Sequence, residues 1–110
     1  VDAGMNDLMR PSLYSARHKI ENLVESSEKK DLYSVVGPVC ETADSFGSDF
    51  EVSANAGDYL VVYSAGAYGS SMGSNYNTRL KPAEILVEQK SHKVIRKAET
   101  FDDLIKEEEL

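Results

Sequence analysis

The sequence predicts a mainly β domain that ends in a short helix. Several runs rich in β-branched and aromatic residues are bounded by turn-forming Gly, Pro, Asn and Asp, which is the pattern of short strands. A helical pattern with start signals stands out only near the carboxyl end, over residues 100–110. The sequence contains neither an internal repeat nor a linker-like stretch, so residues 1–110 are predicted to form one domain.

The first part of the chain predicts little regular structure. A short helical turn is possible in NDLMRPSLY, where Pro11 restricts it to starting or stopping there. The next stretch, HKIENLVES, is ambiguous, because its apolar residues suit either a helix face or a buried strand.

Strands follow in the middle of the chain. The run DLYSVVGPV (31–39) predicts a strand that stops at Gly37-Pro38, and DYLVVYSAG (58–66) predicts a second one, entered through the turn ANAGD. The runs AEILVEQ and KVIRKAE flank KSH (90–92) and predict a hairpin, whose imperfect alternation leaves the register open.

The terminal helix has the clearest boundary. Thr100 is placed to cap it, and Asp102 and Asp103 lie in the first turn, where the helix dipole favours negative charge. Its apolar side chains share one face, and 107–109 are expected to fray. These apolar residues are Phe101, Leu104 and Ile105.

Composition narrows the class of protein. Twelve Lys and Arg against 19 Asp and Glu give a net charge of −7, which argues against a nucleic-acid or anionic-membrane partner. No apolar run approaches the roughly 20 residues of a membrane helix, and no signal peptide opens the chain. One Cys and two His exclude a disulfide framework, fit a reducing compartment and are too few for a structural zinc site. Because the chain begins at Val1, we expect it to be part of something longer.

Two short segments carry residues suited to binding a charged ligand. On a helical turn, Arg10 and Tyr14 would share one side, offering a guanidinium and a phenol to a carboxylate, although a surface Arg stacked on a Tyr is the simpler interpretation. After the Gly-Pro turn, Cys40 and Glu41 can face one pocket as a proton donor and an ammonium-binding carboxylate. The neighbouring anion disfavours the thiolate, so Cys40 suits an acid better than a nucleophile. A lone buried, inert cysteine is the alternative.

A third segment, SAGAYGSSMGSNYN (64–77), is dense in small and polar residues. Such residues allow the backbone to approach a ligand closely and suit a phosphate, but a tight turn has the same composition. Because no Lys-Ser/Thr pair follows the glycines, the segment is not a nucleotide P-loop.

Taken together, VDAGMNDLMRPSLY, VVGPVCETADSF and AGAYGSSMGSNYNTRLKPAEILV resemble the C-terminal part of the diaminopimelate decarboxylase family. These are pyridoxal-phosphate enzymes of the alanine-racemase-like fold type III. The resemblance spans most of residues 1–88 and implies a β-barrel or Greek-key-like sheet domain. It also implies that residues 1–14 link this domain to a TIM-type barrel absent from the chain.

The resemblance also implies roles for individual residues. Arg10 and Tyr14 match residues that bind the distal carboxylate of the substrate, and Glu41 matches the carboxylate that binds its distal amino group. Cys40 matches the thiol that reprotonates the α-carbon, and Tyr68 matches a tyrosine at the cofactor phosphate and substrate. Two departures, Ser64 for a frequent Asp and Leu80 for a common Pro, fall on none of these residues.

For the whole protein, the resemblance implies a cytoplasmic homodimer in lysine biosynthesis that converts meso-2,6-diaminopimelate to L-lysine and CO2. Pyridoxal 5'-phosphate would be bound through a Schiff-base lysine of the barrel, and none of Lys19, Lys29 and Lys30 has a context that suggests this role. The chain alone is therefore expected to be inactive. Two alternatives stay open: a related decarboxylase of ornithine or another basic amino acid, and a small β domain that binds without catalysis.

Overall fold

The computed structural model describes residues 1–25, 27 and 29–109. Their contacts divide the chain into two compact units, Val1–Gly73 and Ser74–Leu110. The first contains helices α1 (Arg10–Tyr14) and α2 (Gly66–Met72) and strands β1 (Ile20–Asn22), β2 (Asp31–Val36), β3 (Ser45–Val52) and β4 (Leu60–Val62). The second contains a 3-10 turn (Tyr76–Thr78), strands β5 (Glu84–Glu88) and β6 (Ser91–Arg96), and helix α3 (Phe101–Ile105).

The strands of the described residues pair into three two-stranded antiparallel sheets, β1–β4, β2–β3 and β5–β6. The prediction of a mainly β chain with few short helices is therefore confirmed. The predicted strand at 31–39 is β2, which ends just before Gly37, and the predicted strand at 58–66 is the shorter β4. The ambiguous HKIENLVES segment forms β1, whose Ile20 lies opposite Val62. A barrel or Greek-key arrangement and a single domain over 1–110 stay predictions.

A small hydrophobic core holds the first unit together. Its side chains come from strands β1, β2 and β3 and from the loop before α1, and each is about 95% buried. Burial of such apolar side chains is the main source of stability for a unit of this size. The core residues are Leu8, Ile20, Val35, Phe46 and Phe50.

Two elements of the first unit were not predicted from the sequence. Strand β3 contains Gly47 at φ 119° and Asp49 at φ 59°, and its pairing with β2 shifts register twice, so its pattern is not the regular alternation of a strand. Helix α2 is built from small residues that were interpreted as a loop. A Cβ at Gly69 would lie 3.2 Å from the Asp7 carbonyl oxygen, so the absence of a side chain there allows α2 to approach that backbone closely.

The second unit is organised by hydrogen bonds. The predicted hairpin is present and turns at 89–90, so that Ser91 and His92 belong to β6 rather than to the loop. The Glu99 carboxylate accepts hydrogen bonds from the Asn75 side-chain amide and from the Lys81 backbone N–H, at 2.5 and 3.0 Å.

Helix α3 begins where the sequence predicts. Thr100 and Asp103 form a reciprocal capping box, in which each side chain accepts a hydrogen bond from the other residue's backbone N–H. The helix ends at Ile105, well short of the predicted limit at residue 110, and Leu110 lies outside the described residues.

Candidate functional site

Helix α1 places Arg10 and Tyr14 at the two ends of one helical turn. Pro11 lies in the first turn, where its missing N–H is not needed, and Ser15 ends the helix in the left-handed region at φ 53°. Tyr14 is 64% exposed. Four positions apart on a helix, the two residues lie on one side of it, with Arg10 half-buried and Tyr14 exposed.

Arg10 is held by a residue far away in the sequence. Its guanidinium lies over the ring of Tyr68 on α2, 4.7 Å from the ring centroid, in a cation–π contact. The simpler interpretation of Arg10, stacking on a tyrosine, is thus true of its contact, although the partner is Tyr68 rather than Tyr14. The contact fixes a cation beside a half-exposed phenol, an arrangement that suits an anionic ligand group.

Cys40 and Glu41 lie in the turn between β2 and β3. The Glu41 backbone N–H donates to the Val39 carbonyl at 2.6 Å, which closes a three-residue turn centred on Cys40. Both side chains are exposed, so the interpretation of Cys40 as a buried hydrophobe is wrong for this chain. An exposed thiol beside a carboxylate is accessible to a ligand.

One residue missed by the sequence reasoning organises this turn. Asp44 is 4% exposed, and its carboxylate accepts backbone N–H hydrogen bonds from Met5 and Val39, each at 2.7 Å. The Asp44 backbone N–H also donates to the Glu41 carbonyl at 3.1 Å, and its carbonyl accepts from Gly37 at 3.0 Å. Its place shortly after the Gly-Pro turn was the available signal, since Asp often satisfies the backbone of nearby turns.

A hydrogen bond joins the two segments that carry the candidate residues. The Ser12 hydroxyl on α1 donates to the Ala43 carbonyl, next to Asp44, at 2.6 Å. This hydrogen bond connects the helix that bears Arg10 to the turn that follows Cys40, within the first unit.

The site is an open surface rather than an enclosed pocket. A cleft of about 760 Å³ in the first unit is lined by β1, β3 and residues near them, and none of the five predicted site residues lines it. Charged side chains of both signs, such as Arg17, Lys19 and Glu21, line this cleft, so it is separate from the candidate site and polar.

Neither a metal site nor a membrane span is found among the described residues. They contain no group of three His, Cys, Asp or Glu side chains positioned to hold a metal ion. In the same part of the chain, every helix is too short or too polar to cross a bilayer.

The lysines of the first unit make surface contacts. The Lys19 ammonium lies 2.7 Å from the Glu21 carboxylate, and that of Lys29 lies 3.4 Å from Asp31. The bond to Glu21 raises the pKa of Lys19, whereas a lysine that attacks a carbonyl needs a lowered pKa. Tyr68 offers a half-exposed phenol to an anionic cofactor, but Lys19 does not fit the covalent attachment of a carbonyl cofactor.

Comparison with protein families identifies the fold. Residues 1–66 match the model of the pyridoxal-dependent decarboxylase C-terminal sheet domain. A diaminopimelate decarboxylase of Aquifex aeolicus is 50% identical over 106 residues, which cover 96% of this chain and 25% of the relative. One of Neisseria meningitidis is 48% identical over 102 residues, covering 93% and 25%.

Solved structures of diaminopimelate decarboxylases have a similar fold. A diaminopimelate decarboxylase of M. jannaschii in complex with L-lysine has a TM-score of 0.93 and 43% identity, covering 99% of this chain and 25% of that one. The Helicobacter pylori enzyme complexed with L-lysine has a TM-score of 0.89 and 46% identity, covering 98% and 27%. The chain thus spans about a quarter of the length of the curated relatives it matches.

Proposed function

Because the chain belongs to the C-terminal sheet domain family of pyridoxal-dependent decarboxylases, we propose that it is part of an enzyme that converts meso-2,6-diaminopimelate to L-lysine and CO2. The observation that carries the proposal is the turn between β2 and β3, which presents an exposed thiol (Cys40) beside an exposed carboxylate (Glu41), on a domain whose helix α1 holds a half-buried guanidinium (Arg10) against Tyr68. The identity of 50% to a relative named for this activity supports the choice of substrate.

The charges of the site match the far end of this substrate. Diaminopimelate has an amino-acid group at each end, so recognition of the end that does not react needs a cation and an anion. Arg10 and Tyr14 would bind the distal carboxylate, and Glu41 would bind the distal ammonium. L-lysine has no distal carboxylate and would leave Arg10 unpaired, which is the kind of unsatisfied polar group from which discrimination arises.

Cys40 would act at the reacting end. When carbon dioxide leaves, the α-carbon must receive one proton on one face, and a single positioned thiol can supply it. The turn centred on Cys40 presents that thiol on the surface, beside the carboxylate that would anchor the substrate.

The cofactor would be pyridoxal 5'-phosphate. When bound, it would delocalise the electron pair that decarboxylation leaves on the α-carbon. Tyr68 would lie at its phosphate and at the substrate, and the lysine that holds it would belong to a barrel outside this chain. The chain alone would therefore be inactive.

The same proposal includes the assembly and its place in the cell. The whole enzyme would be a cytoplasmic homodimer of lysine biosynthesis, in which the N-terminal barrel packs against this domain. Cys40 and Glu41 would reach into the partner subunit's site, while Arg10 and Tyr14 would serve the site of their own subunit. The exposure of Tyr14, Cys40 and Glu41 in this chain fits a site completed by other parts of the assembly.

Substrate analogues that lack one distal group test the proposal. In the whole enzyme, Glu41→Gln should lower kcat/KM for diaminopimelate by roughly 100-fold, the scale of about 3 kcal/mol expected for a charged hydrogen bond, but should hardly change that for 2-aminopimelate, which has no distal amine. Arg10→Met should bring kcat/KM for diaminopimelate down to that for L-lysine, because the group that binds the distal carboxylate is removed. Glu51→Gln, an exposed carboxylate of β3, is the matched control.

Equal losses of kcat/KM for diaminopimelate and 2-aminopimelate in Glu41→Gln would contradict the distal-amine role of Glu41. A wild-type enzyme that decarboxylates ornithine as fast as diaminopimelate would favour the alternative substrate. An enzyme inactive on both would favour a domain that binds without catalysis.

A further inference from the structure

The buried Asp44 carboxylate lies behind the turn that carries Cys40. A buried carboxylate is costly unless hydrogen bonds satisfy it, and this one accepts the backbone N–H of Val39, the residue directly before Cys40. Its other oxygen accepts the N–H of Met5, in the segment that leads into α1. One side chain thus ties the candidate proton donor to the loop preceding the Arg10 helix.

The backbone around Asp44 leaves room for this carboxylate alone. A Cβ at Gly37 would collide with both carboxylate oxygens and the carbon between them. A Cβ at Gly4 would lie 2.8 Å from a Val39 methyl group and 3.3 Å from an Asp44 carboxylate oxygen. The two glycines therefore serve the close approach of Asp44 to the turn, which indicates that its position is built into the fold.

The hydrogen bonds of Asp44 flank Cys40 in the sequence. The carboxylate accepts a hydrogen bond from the Val39 N–H, and the Asp44 backbone N–H donates one to the Glu41 carbonyl. Cys40 itself is exposed, so the packing of its side chain does little to define its position. Proton transfer needs the donor within hydrogen-bond reach, and a displacement of about 1 Å can reduce a rate roughly 100-fold.

We propose that Asp44 is a positioning residue that sets the placement of the Cys40 thiol and the Glu41 carboxylate by holding the Val39 N–H. The inference rests on the proposed function, because it assigns the thiol the proton transfer. Asp44 touches neither substrate nor cofactor and acts through the backbone of the turn.

The test compares Asp44→Asn with Asp49→Asn in the whole enzyme. An asparagine side chain keeps the shape of the aspartate but replaces one acceptor oxygen by an NH2 group, which cannot accept a backbone N–H. We expect kcat per folded active site to fall about 10- to 100-fold in Asp44→Asn, with a smaller change in KM. Asp49→Asn, at an exposed position of the adjoining strand β3, should behave as the wild type.

Two readouts separate positioning from mere stability. In D2O, the wild type should place deuterium in one configuration on the carbon that loses CO2, and Asp44→Asn should give a mixture. The rate of Cys40 alkylation by iodoacetamide should also change in Asp44→Asn and stay constant in Asp49→Asn. A single configuration with wild-type kcat and wild-type alkylation would overturn the proposal.

Gly37→Ala provides an independent variant, because it keeps Asp44 but displaces its carboxylate. It should reproduce the mixed configuration. If neither variant is recovered as folded enzyme, Asp44 is structural only and the proposal fails. If the wild type does not decarboxylate diaminopimelate but alkylation still responds to Asp44→Asn, the proposed function fails while the positioning of Cys40 stands.

Discussion

The two units of the chain differ in how they are held together. In the part of Val1–Gly73 that the structure describes, seven hydrophobic side chains are buried. Among the described residues of Ser74–Leu110, none is buried, and the apolar side chains of its hairpin face solvent. The first unit thus has a core of its own, whereas the second depends on a β ladder, a helix cap and the hydrogen bonds of Glu99.

This difference teaches where each unit obtains its stability. Apolar burial contributes about 25 cal/mol for each Å² removed from water, or roughly 1.5–3 kcal/mol for a fully buried apolar side chain. A hydrogen bond that replaces one with water contributes about 1 kcal/mol net. Exposed residues such as Ile95 and Phe101 stay in contact with water and contribute little of the stabilisation that apolar burial provides. Under the proposed function, parts of the enzyme outside this chain would cover some of them.

The largest effect is expected from an exposed residue of the first unit. In the whole enzyme, Cys40→Ala should lower kcat about 10²- to 10⁴-fold, the usual contribution of a positioned acid, with little change in cofactor affinity or in the unfolding temperature. Steady-state kinetics and calorimetry would measure both. Loss of folding without a specific kinetic defect would return Cys40 to a structural role.

A core substitution tests the first half of the comparison. In the 110-residue chain, Phe50→Ala should destabilise the first unit by about 3–5 kcal/mol, because it leaves a cavity beside Val35 and Phe46. Amide hydrogen exchange along β2 and β3 would report it. The matched variant of the second unit is Ile95→Ala, on the exposed face of β6. It should lower the free energy of unfolding by less than about 1 kcal/mol. Similar losses of unfolding free energy in the two variants would contradict the difference between the two units.

The smallest effect concerns pH in the second unit. The Lys81 backbone N–H, with help from the Asn75 amide, lowers the pKa of Glu99 from its ordinary 4.5. Because the folded-state pKa lies below the unfolded one, the stabilisation is present above pH 4.5 and is lost as pH falls through the folded-state pKa. The protection of the β5 and β6 amides against hydrogen exchange, relative to an unfolded chain at the same pH, should fall in acid, and Glu99→Gln should flatten that dependence. The same dependence of protection on pH in the wild type and in Glu99→Gln would contradict the role of Glu99.

The sequence predicts the parts of the fold whose signals are local. Thr100 with Asp103 marks the start of α3, and Gly37-Pro38 marks the end of β2. Strand β3 was missed because its twisted pairing with β2 depends on Gly47 at positive φ, and α2 was missed because tertiary packing, not propensity, makes its small residues helical.

The candidate site was predictable only in part. The spacing of Arg10 and Tyr14 and the adjacency of Cys40 and Glu41 are local, so they can be found in the sequence, whereas the family resemblance supplied their roles. The contact of Arg10 with Tyr68 and the hydrogen bond from the Met5 N–H to the Asp44 carboxylate join segments distant in the chain. No local pattern encodes such pairs.

Helix α1 has only five residues, far fewer than the roughly 12 that an isolated helix needs to persist in water. An excised NDLMRPSLY peptide would be a disordered coil, with Arg10 and Tyr14 pointing in unrelated directions. Under the proposed function, selectivity for the far end of the substrate could not be grafted onto another scaffold as a linear motif. A graft would also need the two partners that contact this helix, the Tyr68 ring and the Ala43 carbonyl.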